Sequence, residues 1–387
     1  MTGHTPTLAE LRQRTSIKWQ AYGPDVLPAW IADMDFAIAP SIHAALEDAL
    51  ARGDLGYPQS YAKSGLDEVF CARMQARYQW QVAPRQVEFF SDVVQVIYLS
   101  LLTLTEPGDG IVIQTPIYPP FLNAVAETER RADICPLVQQ PRGYQIDFDA
   151  LHRKIDARTK LLLLCHPHNP TGRAYTRVEL EGLAEFVLRH NLLVISDEIH
   201  ADLMLDTRTH IPFASLSEEI AARTITLTSP SKPFNIAGLC LAVAVFGSEE
   251  LRRRFLRIPA HVRGGRSALG MAAAFAAWTT AQPWLDATLA QLRKNRTRVA
   301  EYCARHWPQV KHVPPEATFL GWLDFRSLKL GMEPQRFFLE QAQVALGDGP
   351  AFGAAGEGFV RLNFATSPAI LDEVLTRMNA AVQAIPH

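Results

Sequence analysis

LLLLCHPHNPTGRAYTRVELEGLAEFVLRHNLLVISDEIHAD, residues 161–202, holds one strand–turn–helix–strand unit. The apolar run Leu161–Cys165 is too short for a helix and ends at Asn-Pro-Thr-Gly, the composition of a tight turn. Over Arg177–His190, Val178, Leu180, Leu183, Phe186 and Val187 recur at helical spacing, and Leu192–Ser196 is a second short apolar run. Two strands joined by a helical crossover are expected to lie parallel. Outward from this unit, Ile111–Gln114, Thr224–Thr228 and Leu239–Phe246 repeat the pattern of short apolar runs between amphipathic stretches. The chain from about 92 to 247 is therefore expected to form an α/β domain, a mainly parallel sheet with helices on both faces. Ligands in such sheets sit at the carboxyl ends of strands. Residues 166–173, 197–202 and 228–232 all follow strands directly.

Beyond this region the pattern changes. Long helices are expected at about 267–281 and 284–306, then strands at Phe319–Phe325 and Phe359–Phe364 and helices at about 334–345 and 368–383, with GDGP at 347–350 breaking the chain. A chain of 387 residues exceeds what a single core sustains. The expected division is an N-terminal segment, 1–40, packed on a smaller unit or on a partner subunit, a large domain at 41–282, and a small α+β C-terminal domain at 283–387.

Composition narrows the partners. With 48% hydrophobic and 20% charged residues, a net charge of −2 and a pI near 6.6, the chain has no basic field to gather nucleic acid or anionic lipid. Its five cysteines form no CxxC pair, and His43, His152, His210 and His312 have no metal-ligand spacing, so no metal is expected. No apolar run approaches a membrane span and residues 1–16 lack a signal-peptide core, which makes a cytoplasmic protein acting on a small molecule the expectation.

SPSKPFNIAGL, 229–239, sets Lys232 just beyond a buried strand. Most lysines are solvated surface charges. A lysine at a strand end in a partly desolvated cleft has a lowered pKa, and becomes a nucleophile toward an aldehyde and then a base. Asp197, directly after Leu192–Ser196, reads alone as a helix N-cap, but a carboxylate at this depth can also pair with a pyridinium nitrogen. His200 lies three residues on, within reach of the same ring. Asn169 can donate its amide to a phenolate oxygen, and Tyr118, stiffened by flanking prolines, can lie against a flat ring. A phosphate calls for backbone donors at a helix start together with hydroxyls. Val93 and Val94, opening the apolar helix 93–104, and Ser229 and Ser231, flanking the lysine, supply these. Asp92 reads equally as an N-cap or a ligand. Arg361, inside the apolar strand GFVRLNF, is either half of a buried ion pair or a clamp for a substrate α-carboxylate. The run LRRRFLR, 251–257, reads as a solvated helix face.

Taken together, Tyr118, NPTG at 169–172, Asp197, SPSK at 229–232 and Arg361, in this order and at these separations, resemble the fold-type I pyridoxal-phosphate (PLP) enzymes of the class I/II aminotransferase superfamily. LPAWIADMDF at 27–36, LGYP at 55–58, HNPTGR at 168–173, SDEIHADL at 196–203 and SKPFNIAGL at 231–239 resemble its cystathionine β-lyase-like C–S lyase branch. The resemblance implies pyridoxal 5'-phosphate as cofactor and Lys232 as its Schiff-base lysine. It makes Asp197 the partner of the ring nitrogen, Asn169 that of the ring hydroxyl, Tyr118 the stacking ring and Arg361 the carboxylate clamp. Tyr57 would reach toward the phosphate from a neighbouring subunit, in a homodimer with shared sites. Many aminotransferases of the superfamily carry tyrosine where this chain has His200 and arginine where it has Cys240; the branch often has asparagine at His166 and a smaller residue at Asp92. The expected activity is β-elimination from cystathionine or a related cysteine S-conjugate, giving a thiol, pyruvate and ammonia. Transamination is the alternative that residue types separate least well, and a non-catalytic regulatory protein of the same fold is the third.

Overall fold

The computed structural model describes residues 6–53, 55–265 and 267–385, with Tyr61 described in its backbone alone. A first short strand, β1 (Leu27–Ala29), precedes the strands β2 (Val87–Phe90), β3 (Gly110–Ile113) and β4 (Arg131–Ile134). A hairpin of β5 (Val138–Gln140) and β6 (Gly143–Gln145) comes next and pairs only with itself. It leads to β7 (Thr159–Cys165), β8 (Leu193–Asp197), β9 (Thr224–Thr228) and β10 (Ala242–Phe246). The last four are β11 (Lys311–His312), β12 (Leu320–Asp324), β13 (Val344–Asp348) and β14 (Phe359–Asn363). A large sheet of seven strands has the order β2-β10-β9-β8-β7-β3-β4, and a small sheet of five has the order β1-β13-β14-β12-β11.

β7 shows why this segment reads as a near-continuous apolar run. Leu161, Leu163 and Cys165 enter the core on one face of the sheet, with Val96, Ile97, Phe121 and Phe255. Leu162 and Leu164 enter the other, with Leu180, Leu183, Phe186 and Val187. Both faces are covered by helices, so alternate residues are all apolar. The crossover helix Arg177–Arg189 starts at Thr176, whose hydroxyl accepts from the Glu179 N–H while the Glu179 carboxylate accepts from the Thr176 N–H, a capping box. Gly172, at φ +69°, closes the turn before it. A Cβ there would come within 2.2 Å of Pro315 Cβ, so only glycine fits.

The sheet is mainly parallel, as expected, with one strand reversed. β10 runs antiparallel to both β9 and β2, while β9, β8, β7, β3 and β4 are mutually parallel. It also begins at Ala242 rather than Leu239, because residues 237–239 form a 3₁₀ turn. The helix expected at 334–345 ends at Ala342. Gln343 turns the chain at φ +53° into β13, which takes in the first half of the GDGP segment. β1 joins the small sheet as an edge strand parallel to β13. Leu27, Met34 and Phe36 share one core with Phe319, Leu362 and Leu371. Among the described residues no helix is long and apolar enough to cross a membrane, and no group of three or more His, Cys, Asp or Glu is placed to hold a metal ion.

Candidate active site

The carboxyl ends of β7, β8 and β9 and the turn after β3 converge on a cavity of about 300 Å³. Tyr118, Asn169, Asp197, His200, Ser229, Ser231, Lys232, Arg361, Val93 and Val94 all line it, with Asp92 beside them. Residues as far apart in sequence as Val93 and Lys232 thus meet because each follows a strand of one sheet, whereas Arg361 arrives on β14 of the other.

Lys232 is half-buried, and its Nζ donates to the Ala32 carbonyl at 2.9 Å rather than to a carboxylate. Burial depresses its pKa, opposed by Asp33 and then Asp197. Asp197 is buried. One carboxylate oxygen accepts from the Ile199 N–H at 3.0 Å, closing a local turn; no helix follows for it to cap, and no cationic group among the described residues hydrogen-bonds it. Burial pushes its pKa up to about 7. His200 is buried with no hydrogen-bond partner for Nδ1, and burial holds its pKa down to about 3, so its imidazole is neutral.

Arg361 is not half of an ion pair with any described residue. Its Nη1 donates to Asn169 Oδ1 at 3.1 Å and its Nη2 to the Trp30 carbonyl at 2.8 Å, its Nε has no partner, and the group lies 4.9 Å from the Phe352 ring centroid. No carboxylate among the described residues pairs with it, and burial lowers its pKa to about 10. A buried guanidinium without a counter-ion is costly unless an anion is brought to it. With its carbonyl oxygen occupied by Arg361, Asn169 keeps its side-chain N–H donors for another acceptor.

Asp92 is the N-cap of helix Val93–Leu104: its Oδ1 accepts from the Gln95 N–H at 2.8 Å. That leaves the N–H groups of Val93 and Val94, in the first turn, without acceptors inside the helix, and both residues line the cavity. The Ser229 hydroxyl donates to the Leu241 carbonyl at 2.6 Å and accepts from the Ser231 N–H at 3.0 Å, fixing the turn that carries Ser231 and Lys232.

Three sequence-marked residues lie elsewhere. The Tyr57 side chain is fully exposed and does not line the cavity of its own chain. Cys240 is exposed at φ +52°, and His166 is buried outside the cavity, stacked on Tyr175 at 5.4 Å. The structure adds residues that composition did not mark. Ile31 and Ala32 form one wall, joined by Cys165, Ile199, Ala237 and Leu241. Beneath the site the buried Glu198 accepts from the Ser196 hydroxyl at 2.8 Å and the Phe213 N–H at 2.9 Å and meets His210 Nε2 at 2.7 Å, which anchors the turn bearing Asp197 and His200.

Aminotransferase class I and II is the family whose pattern matches residues 31–378. The chain belongs to this family. It is 38% identical over 375 residues to the cystathionine beta-lyase PatB of Bacillus subtilis (strain 168), covering 95% of this chain and 96% of that one. Its structure superposes on OvoB with a TM-score of 0.93 at 40% identity, and covers 100% of both chains. It superposes on cystalysin from Treponema denticola, whose crystal structure contains a pyridoxal 5'-phosphate cofactor, with a TM-score of 0.94 at 32% identity over 99% of each chain. These likenesses are those of a fold-type I enzyme, the fold expected from the strand pattern and the motifs.

The cavity fits that cofactor on its own terms. It offers an amine without a carboxylate partner, a buried carboxyl without a cation, free amide donors on Asn169 and the opening turn of a helix. Each group is left incomplete by the protein and complementary to one part of an aldehyde-bearing, phosphorylated pyridine.

Proposed function

We propose that this chain is a pyridoxal 5'-phosphate-dependent carbon–sulfur β-lyase, acting on cystathionine or a related cysteine S-conjugate to give a thiol, pyruvate and ammonia. The observation that carries the reading is Arg361, buried without a counter-ion in the cavity that holds Lys232. An α-carboxylate is the anion that a planar, two-pronged donor receives best. The choice of elimination is supported by the relative named a cystathionine beta-lyase and by the DEIH string at 197–200.

When bound, the cofactor supplies an aldehyde for the substrate's amino group and a ring that accepts electrons from Cα. Asp197 would pair with the ring nitrogen and keep a proton there. The Asn169 amide would stabilise the anionic ring hydroxyl, Tyr118 would lie against the ring, and the Val93 and Val94 N–H groups with the Ser231 hydroxyl would receive the phosphate. Lys232 binds the cofactor between turnovers. Its amine, once free, would take the Cα proton, and burial, which lowers its pKa, favours the unprotonated form that this needs. Arg361 holds the α-carboxylate so that the Cα–H bond faces Lys232. With the electrons of that bond free to expel the group at Cβ, the C–S bond would break, the sulfur would leave as a thiolate and take back the proton held by Lys232 to become the thiol, and the 2-aminoacrylate released would react with one water to give pyruvate and ammonia.

The reading extends to the assembly. Fully exposed on its own chain, Tyr57 is assigned to the phosphate side of a neighbouring subunit's site, in a cytoplasmic homodimer with shared sites. We divide the chain into the large cofactor-binding domain, 41–282, and the small domain, 283–387.

The test is to incubate holoenzyme with cystathionine and several cysteine S-conjugates and score pyruvate, thiol and other keto acids together. Equal pyruvate and thiol are expected, with loss of both in Lys232→Ala. A cofactor converted stoichiometrically to its amine form, with a substrate-derived keto acid and no thiol, would overturn elimination in favour of transamination.

A further inference from the structure

A second cavity, of about 870 Å³, lies between the segment 201–210 and the helix Gln282–His306, and shares no lining residue with the one around Lys232. Arg293 and Arg296 line it from the helix, three residues apart and so on one face. Both are tethered by backbone oxygens alone. Arg293 donates from Nε to the Leu205 carbonyl at 3.3 Å and from Nη2 to that of Met204 at 3.2 Å, and Arg296 donates from Nη1 to the Pro315 carbonyl at 3.2 Å. No carboxylate among the described residues pairs with either, and each guanidinium keeps N–H groups without an acceptor.

The acids that line this cavity are already matched. Asp202 holds Arg73 Nη2 and the Tyr78 hydroxyl at 2.7 Å each, with Arg77 Nε at 3.5 Å. Asp206 is bound by Arg208, through Nε at 2.7 Å and Nη2 at 2.6 Å. Burial lowers the pKa of Arg296; Asp206 opposes this from a distance and the charge of Arg293 adds to it. A third polar group is left incomplete at the same cavity. The buried His210 meets Glu198 through Nε2 at 2.7 Å, and its Nδ1 has no hydrogen-bond partner. Two neighbouring guanidinium groups without a counter-charge favour one anion that both can share. A phosphate group offers a pair of oxygens to one guanidinium and a further oxygen to the second, which a flat carboxylate does not. The cavity is large enough to take an organic part beyond it.

We propose that this cavity is a second ligand site, which takes the phosphate group of a small phosphorylated molecule between Arg293 and Arg296, apart from the cofactor's own phosphate. It stands whether the cofactor cavity carries out elimination or transamination.

The test is calorimetric titration of holoenzyme, in which the cofactor fills its own phosphate site, with glycerol 3-phosphate, inorganic phosphate and succinate at one ionic strength. Both phosphates are expected to bind once per chain, and succinate about tenfold or more weakly than either. Tighter binding of glycerol 3-phosphate than of the free ion identifies an ester as the ligand, and the reverse order identifies phosphate itself. Arg293→Gln and Arg296→Gln should each weaken both phosphates about tenfold or more. Arg298→Gln removes the same charge from the same helix outside the cavity, where Arg298 pairs with Asp372 at 3.1 Å, and should change them less than about twofold. An unaltered visible spectrum of the bound cofactor shows that each variant is folded and loaded; if Arg296→Gln fails this, Arg293→Gln, at an exposed side chain, carries the test. No binding of either phosphate below about 10 mM, succinate binding as tightly as the phosphates, or binding that survives the substitutions at 293 and 296 would overturn the proposal.

Discussion

Asp197 and Arg361 are both buried charge carriers left without an opposite charge, and each has its pKa moved toward the neutral form. For Asp197 this makes the stability of the cofactor-free protein depend on pH in an unusual sense. Its carboxyl titrates near 7 in the folded chain and near 3.8 when unfolded, so between those values the folded state holds the extra proton. The contribution is fully present below the unfolded pKa and is lost as pH rises through the folded one, opposite to a salt-bridged aspartate. In urea unfolding, the stability of the cofactor-free protein relative to Asp197→Asn should therefore fall by roughly 2–3 kcal/mol from about pH 5 to about pH 8. Loading the cofactor should flatten this dependence, because a cationic ring nitrogen stabilises the carboxylate. A relative stability that stays level or rises with pH in the cofactor-free protein would mean that Asp197 is already ionised and partnered. The sequence marked both residues by position alone, since neither the depth of a strand end nor the lack of a counter-ion is written in composition.

The loop Trp30–Phe36 shows how an element can build a site without a legible residue code. It contributes carbonyls at Trp30 and Ala32, and every residue type offers the same carbonyl. Its position depends on polar side chains far away in sequence, above all Asn363 at the end of β14, whose amide donates to the Ile31 and Asp33 carbonyls and whose oxygen accepts from the Ala365 N–H. Asn363→Ala would leave the buried Ala365 N–H without a partner and take one of two donors from each of the Ile31 and Asp33 carbonyls, which keep the Asp33 N–H and Lys18 Nζ. The expected cost is about 2–4 kcal/mol of stability in denaturant unfolding, together with a raised KM as the loop loosens. An unchanged KM in a destabilised variant would show that the loop is held by Lys18 and Asn235 and that Asn363 serves the fold alone. The same scale explains one feature that was not legible and one segment that was misread. The polarity of β10 cannot be read from its composition, since a fully buried strand is equally apolar in either direction. In β13, Val344–Leu346 continues the apolar run of the preceding helix, and the break is a single left-handed residue, Gln343, with no glycine to announce it.

Across the whole molecule, the parts of the site that were legible are those for which strand order converts sequence position into spatial position. Asn169, Asp197 and Lys232 each follow one of three adjacent parallel strands, so a reading of β7, β8 and β9 already puts them on one edge. Tyr57 is the residue for which this logic stops, because its ring is fully exposed and does not line the cavity of its own chain. If it completes a neighbour's site, two inactive variants should rescue each other. Lys232→Ala retains Tyr57, and Tyr57→Ala retains Lys232, so a mixed dimer contains one site with both residues intact and one with neither. Random assembly from equal amounts makes half of the dimers mixed, and activity should return to about a quarter of the wild-type rate per chain. Co-expressing the two variants with different tags and purifying through both isolates the mixed dimer, where about half of the wild-type rate is expected by the same count. Activity no greater than that of the single variants would place Tyr57 outside the site and leave the phosphate to Val93, Val94 and Ser231 of one chain.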